Sequence, residues 1–169
     1  MSQTIKFFLL LCFDSSAVLK WSNFKCEDLI NAKDFCHVED CRLKAVRRNY
    51  AEMFFKLALY KVPITNVMIR LQLFQKSNSG GFQPFLYDIN FNFCKLMKNS
   101  NYPMSFEKYV FDQVRPFSNM NTTCPLNMSH IIVNKFGITS EMVTLPLPTG
   151  VYRLQFTLSA YKLPRVLIQ

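Results

Sequence analysis

One pattern limits the possible folds more than any other. Apolar and polar residues alternate with a period of two along most of the chain. In "NVMIRLQLFQ", Val67, Ile69, Leu71 and Leu73 fall on one side, and Met68, Arg70 and Gln72 on the other. "MFFKLALYK" places Met53, Phe55, Leu57 and Leu59 together, and "VYRLQFTLSA" does the same for Tyr152, Leu154, Phe156, Leu158 and Ala160. A pleated strand repeats every two residues, so each segment buries one face and wets the other.

Punctuation supports the strands. Pro63 closes the segment before it, because proline has no N–H to give to a ladder. "KSNSGG" is turn chemistry and joins strands over Asn66–Gln75 and Phe82–Phe93 into a hairpin. In the second strand Ile89, Phe91 and Phe93 alternate with Asp88, Asn90 and Asn92. Pro146, Pro148 and Gly150 mark a turn before Tyr152, and "RVLIQ" reads as a short last edge strand. One stretch departs from this period. In "SFEKYVFDQVRPF", Phe106, Val110 and Val114 recur at helical spacing, Ser105 can cap, Glu107 suits the first turn and Pro116 ends the helix. "FCKLMKN" carries only a faint helical turn. About six to eight strands with one short helix make a mainly β chain, a two-sheet Ig-like β-sandwich. A length of 169 residues fits a single domain, expected over residues 18–169, and 50% hydrophobic content excludes a disordered chain.

Three signals bear on compartment. The N-terminus has Lys6, then an apolar run from Phe7 to Phe13, then Ser15 and Ala17 at the spacing a signal peptidase prefers, so residues 1–17 read as a signal peptide. That run is far short of the ~20 residues a membrane span needs. The other reading of this segment is a buried first strand. Asn121-Thr122-Thr123 and Asn127-Met128-Ser129 are both acceptor patterns for N-linked sugar. Cleavage after Ala17 would remove Cys12 and leave Cys26, Cys36, Cys41, Cys94 and Cys124, an odd set in which one thiol stays free or pairs with another molecule. Disulfides closing 15- and 30-residue loops would each stabilise by about 3–4 kcal/mol. Four cysteines allow three pairings, and spacing does not choose among them.

No catalytic set can be assembled, so an enzyme is not expected. The two histidines, His37 and His130, lie in unrelated contexts, and there is neither a nucleophile elbow nor a phosphate loop. Cys36, His37 and Cys41 lie close in sequence but lack the paired spacing of a zinc site, so neither metal nor cofactor is expected. The net charge of +9 is spread along the chain. Its densest cluster, Arg42, Lys44 and Arg48, reads as a wetted basic strand face. No nucleic-acid motif accompanies it. Phe55, Leu57, Ile69, Leu71, Phe91, Leu154, Phe156 and Leu158 have two readings. They are ordinary core, or they line a cavity between splayed sheets for a lipid or other apolar ligand, where each buried methylene contributes roughly 0.8 kcal/mol.

Several motifs taken together resemble a known family. "NFKCEDL", "DCRLKAVRRNY", "PFLYDINFNFCKLMKN" and "FSNMNTTCPLN" occur in this order, and resemble an insect-expanded family of small secreted domains of unknown function. That family is similar to the CheB chemosensory proteins and, distantly, to the ML (MD-2-related lipid-recognition) sandwich. The resemblance covers about residues 21–167. It implies an ML-type secreted sandwich and makes apolar-ligand binding plausible. The family's recurring cysteines map onto Cys26, Cys41, Cys94 and Cys124, leaving Cys36 outside. Local loop closure within each half then gives Cys26–Cys41 and Cys94–Cys124 as the expected pairs. Relative to the family, the chain stops early at Gln169, which would leave the last strand short and its edge poorly covered.

The expected function is that of a secreted, extracellular, non-enzymatic binding protein holding an apolar small molecule or lipid between its sheets, in chemosensation or another recognition task. The alternative is an extracellular interaction module, a ligand or co-receptor for a cell-surface receptor, with a solid core and Arg42, Lys44 and Arg48 as its binding face.

Overall fold

The strands form where the alternation places them, and pair so that their apolar faces coincide. A computed structural model describes residues 20–99, 104–143 and 147–169; the expected signal peptide and Pro146 lie outside the described residues. In chain order the elements are β1 (Cys26–Asp28), β2 (Cys36–Arg47), β3 (Tyr50–Leu59), β4 (Val67–Lys76), β5 (Phe82–Asn92), α1 (Phe93–Lys98), α2 (Phe106–Val114), β6 (His130–Phe136), β7 (Tyr152–Ala160) and β8 (Leu163–Ile168). They build two antiparallel sheets, one of five strands in the order β1-β8-β7-β4-β5 and one of three in the order β2-β3-β6.

Register explains the core. Leu71 lies opposite Ile89 on β5 and Phe156 on β7, Ile69 opposite Phe91 and Leu158, and Leu73 opposite Leu154. Across the gap, Leu57 lies opposite Val38 and Ile131, and Phe55 opposite Cys41 and Val133. Directly opposed residues share a face, so these side chains point into the layer between the sheets.

Ser105 caps α2 as expected, accepting from Lys108 N at 3.4 Å. Pro116 lies in the 3-10 turn Arg115–Phe117 that follows. The faint turn at Phe93 is a real helix. Asn92 accepts from Lys95 N at 2.9 Å and fixes the start of α1, a local bond that outweighs the lack of helical periodicity.

The last strand is not at the edge. β8 runs between β7 and β1, with Cys26 opposite Ile168 and Asp28 opposite Val166. Lys25 and Gln169 exchange two backbone bonds of 2.8 Å. A three-residue strand such as β1 is too short to show a period, which is why the expectation of an uncovered edge fails. The edge of β6 is closed by a side chain instead. Asn119 donates through Nδ2 to His130 O at 2.8 Å and accepts at Oδ1 from Ile132 N at 2.9 Å, so one amide stands in for a strand's donor and acceptor.

Both expected disulfides form, and the first joins the two sheets. Cys26 on β1 bonds Cys41 on β2, and Cys94 on α1 bonds Cys124 in the segment leading to β6. β1 and β2 are edge strands of their sheets, while α1 continues directly from β5, the opposite edge of the larger sheet. One staple therefore closes a long side of the sandwich, and the other ties α1 to the segment before β6 at the end where β5 finishes. Cys36 stays free and is buried.

Candidate functional site

The space between the sheets differs at its two ends. One end carries the β3–β4 connection, the β7–β8 turn and α1. The other, the hairpin end, carries the β4–β5 and β2–β3 turns. Toward the first end the layer is solid. Phe55, Leu57 and Phe91 belong to one buried cluster with Leu59, Ile64, Phe93, Leu96, Leu126 and Val166. Ile69 and Leu158 pack against it, and Leu71 is fully buried. Six of the eight residues proposed from the sequence as cavity lining are thus side chains of a filled core.

The remaining two, Leu154 and Phe156, are partly buried, as Ile69 and Leu158 are, but they lie outside that cluster, on the inner face of a central strand opposite buried Leu73 and Leu71. The smaller sheet thins out here, since Lys44 to Arg47 on β2 are exposed. Aromatic rings border the opening. Tyr152 shares the face of Leu154 and lies 5.7 Å from Phe85. Tyr87 stacks on Phe106 at the start of α2, 4.3 Å between centroids. Tyr152 donates from its hydroxyl to Pro148 O at 2.7 Å and accepts from Gln75 Nε2 at 3.2 Å. Burial lifts its phenol above the ordinary range. A break in the β4–β5 register between Gln72 and Phe74, with Leu86 at φ 57° on β5, bends the sheet edge beside these rings. The arrangement is an apolar, aromatic-rimmed face with few polar groups, suited to an alkyl or ring-bearing ligand.

At the opposite end an open depression of about 520 Å³ is lined by Asp28, Ile30, Ala32, Lys33, Asp34, Cys36, His37, Tyr60 and Leu29. It contains none of the eight residues. Asp28 accepts from Val38 N at 3.0 Å and lies 2.5 Å from His37 Nδ1. Cys36 and His37 are consecutive on a strand and so project to opposite faces. The Cys36 thiol is pushed up to about 11, chiefly by burial and then by the Asp28 charge, with Arg165 opposing. A thiol so raised stays protonated and is a poor nucleophile. Among the described residues, no cluster of three or more His, Cys, Asp or Glu could hold a metal ion, and no helix is long and apolar enough to cross a membrane.

The basic residues do not form a surface of one sign. Arg42 and Lys44 project outward from β2, but Arg42 donates to Asp40 at 3.1 Å and lies 4.1 Å over the Phe54 ring. Lys44 is opposite Glu52. Arg48 sits in the turn after β2. Nearby, Glu39 pairs with Lys56 at 2.7 Å and His130 at 3.5 Å. The Lys56 hydrogen bond, aided by the Lys56 charge and by His130, holds the Glu39 carboxyl below its usual range. Asn121 and Asn127 are both exposed in the segment before β6, and Asn121 accepts from Arg115 Nε at 3.1 Å.

Two structural roles escape a reading of the sequence. Asn119 lies inside "FSNMN", where only the sugar-acceptor pattern stands out. Arg165 sits on β8 with its guanidinium 4.1 Å over the Phe35 ring, and it donates to the carbonyls of Asn31 and Ala160. Nothing local in "LPRVLIQ" signals that contact.

With this geometry in place, residues 69–154 match a family model described as "Protein of unknown function (DUF1091)". The match runs from β4 to the start of β7, and so takes in the Cys94–Cys124 pair and most of the aromatic rim. No curated protein matches the chain.

Proposed function

The chain belongs to the DUF1091 family, whose description assigns no activity, and from its geometry we propose a secreted, non-enzymatic protein that binds an apolar small molecule or lipid at the hairpin end of the sandwich. One observation carries this reading. Leu154 and Phe156, partly buried on an inner face, lie outside the buried cluster that fills the other half of it. The aromatic side chains Phe85, Tyr87, Tyr152 and Phe106 give the opening a wall that an acyl chain or small hydrophobe can lie against. The two disulfides fit an oxidising compartment, and exposed Asn121 and Asn127 are open to glycosylation there. On this reading the resemblance of its motifs to CheB proteins and, distantly, to ML carriers would reflect a shared task, and chemosensation is one setting for it.

The test is organic extraction of the purified protein followed by mass spectrometry, together with displacement of a fluorescent fatty acid. Co-purified lipid and displacement by apolar competitors are expected. Neither being seen would overturn the proposal. The solid half of the layer favours a second reading, an interaction module that engages a cell-surface receptor through Arg42, Lys44 and Arg48. Charge reversal at these three residues would abolish receptor-bearing cell binding on that reading, and would leave fatty-acid displacement untouched on the first.

A further inference from the structure

Water-facing apolar side chains gather at the β3–β4 end. Of the ten large ones that stand exposed among the described residues, five belong to this end: Ile30, Tyr60, Val62, Tyr161 and Leu163. Ile30 is 92% exposed. Four come from three separate connections and Leu163 opens β8, and the connections are held together. Ile30 and Tyr60 border the same depression. Tyr60 N donates to Phe35 O at 2.9 Å, and the Phe35 ring lies 6.3 Å from Tyr161. The Tyr161 hydroxyl donates to Pro63 O and accepts from Thr65 N, both at 3.3 Å, beside Val62.

The β7–β8 turn is unusual in chemistry. Tyr161 and Lys162 hold φ of 53° and 66°, a conformation that Asn-Gly would enter with less strain. Two large residues, one aromatic and one cationic, are kept there and presented to solvent. Charge at this end is basic. Lys33, Lys61 and Lys162 are exposed among the apolar tips, and α1 adds exposed Lys95 and Lys98. The facing acids are Asp34, exposed beside Lys33, Glu27, and Asp28, which is already engaged by His37 and Val38 N.

We propose that this end of the sandwich docks on an anionic lipid bilayer. Tyrosines with apolar bodies and polar tips settle at the headgroup level, aliphatic tips enter the acyl boundary, and lysines reach phosphate and carboxylate headgroups. Separate tips on three connections need no matching relief in a partner, which a fluid surface supplies and a folded protein does not. The inference goes beyond the ligand reading and does not depend on it, since the proposed ligand face lies at the opposite end.

The test is co-sedimentation of the protein with vesicles of phosphatidylcholine alone and of phosphatidylcholine mixed with phosphatidylserine. Asn127 borders this end through the Ile64–Leu126 bridge, so the protein is assayed as N127Q to keep sugar away from the contact. Binding is expected to the mixed vesicles, weakening with salt. Lys33→Gln, Lys61→Gln and Lys162→Gln together should weaken it about a hundredfold. Ile30→Ser with Tyr60→Ser should also weaken it at unchanged melting temperature, and Y60W should shift its emission to the blue on binding. Equal partition to neutral vesicles, no partition at all, or full retention by the lysine variant would overturn the proposal. Binding of polyglutamate through the same lysines, with vesicles ignored, would give the face to an acidic protein partner instead.

Discussion

Leu71 and Leu154 stand on the same inner face of adjoining strands, and truncating each to alanine should have opposite consequences. Leu71 is fully buried. Its replacement removes three carbons from a closed core, about 2.4 kcal/mol at 0.8 kcal/mol per methylene, and the unfilled space raises the total to about 3–4 kcal/mol. Leu154 is partly buried and lies outside the core cluster, so on the proposed reading its truncation leaves no sealed void and should cost only about 1 kcal/mol. Urea unfolding followed by the emission of Trp21, the single tryptophan, reads both. Trp21 packs edge-on against Phe136 at 6.1 Å and so reports loss of the core. Fluorescent fatty-acid titration supplies the second axis. L154A should weaken binding several-fold and Leu154→Asp should abolish it, while L71A leaves affinity nearly unchanged in the fraction that remains folded. If L154A destabilises as much as L71A, the face is sealed rather than open, and the reasoning that places a ligand there is wrong.

Four other outcomes are expected. Replacing Cys26 and Cys41 by serine should cost about 3 kcal/mol and replacing Cys94 and Cys124 about 3.6 kcal/mol in denaturant unfolding, and the losses should add because the two loops do not overlap. Glu39 has a carboxyl pKa lowered in the fold, so the stability it contributes is present above its unfolded pKa and disappears as pH falls through the folded one; E39Q should flatten the acid limb of a melting-temperature profile, and an unchanged limb would refute the pairing. Cys36 should resist iodoacetamide at neutral pH until the protein is unfolded, because burial holds its thiol protonated; rapid native labelling would contradict this. Lys162→Gly should stabilise by about 1 kcal/mol by relieving the left-handed turn, as read by thermal unfolding.

Much of the fold was legible because burial on one face writes itself into a strand with a period of two. The hairpin expected over Asn66–Gln75 and Phe82–Phe93 is β4 and β5 to within a residue at each end. The short elements were missed or only faint because they have no room for a period. β1 spans three residues and is held by backbone pairing with β8, and α1 depends on a single cap from Asn92. The candidate site was half legible. Alternation identified Leu154 and Phe156 as inner-facing, but it cannot distinguish them from Leu71 or Phe91, because what separates open from filled is how far the other sheet extends. Arg42 and Lys44 were correctly placed outside. The acids beside them are Asp40, which Arg42 bonds two residues away on the same strand, and Glu52, which lies opposite Lys44 in the register, and cross-strand neighbours cannot be read without the pairing.

The two crosslinks restrict how this molecule can breathe. The first ties the margins β1 and β2, and the second ties α1 to the segment before β6, so parting of the layers is restrained along one flank and at the packed end. Widening then falls to the opposite tip, outside the core cluster, which on the proposed reading can yield without breaking packed contacts. Reduction would remove that directional bias, and on the proposed reading a guest confined to one entrance would find another way in along the freed flank.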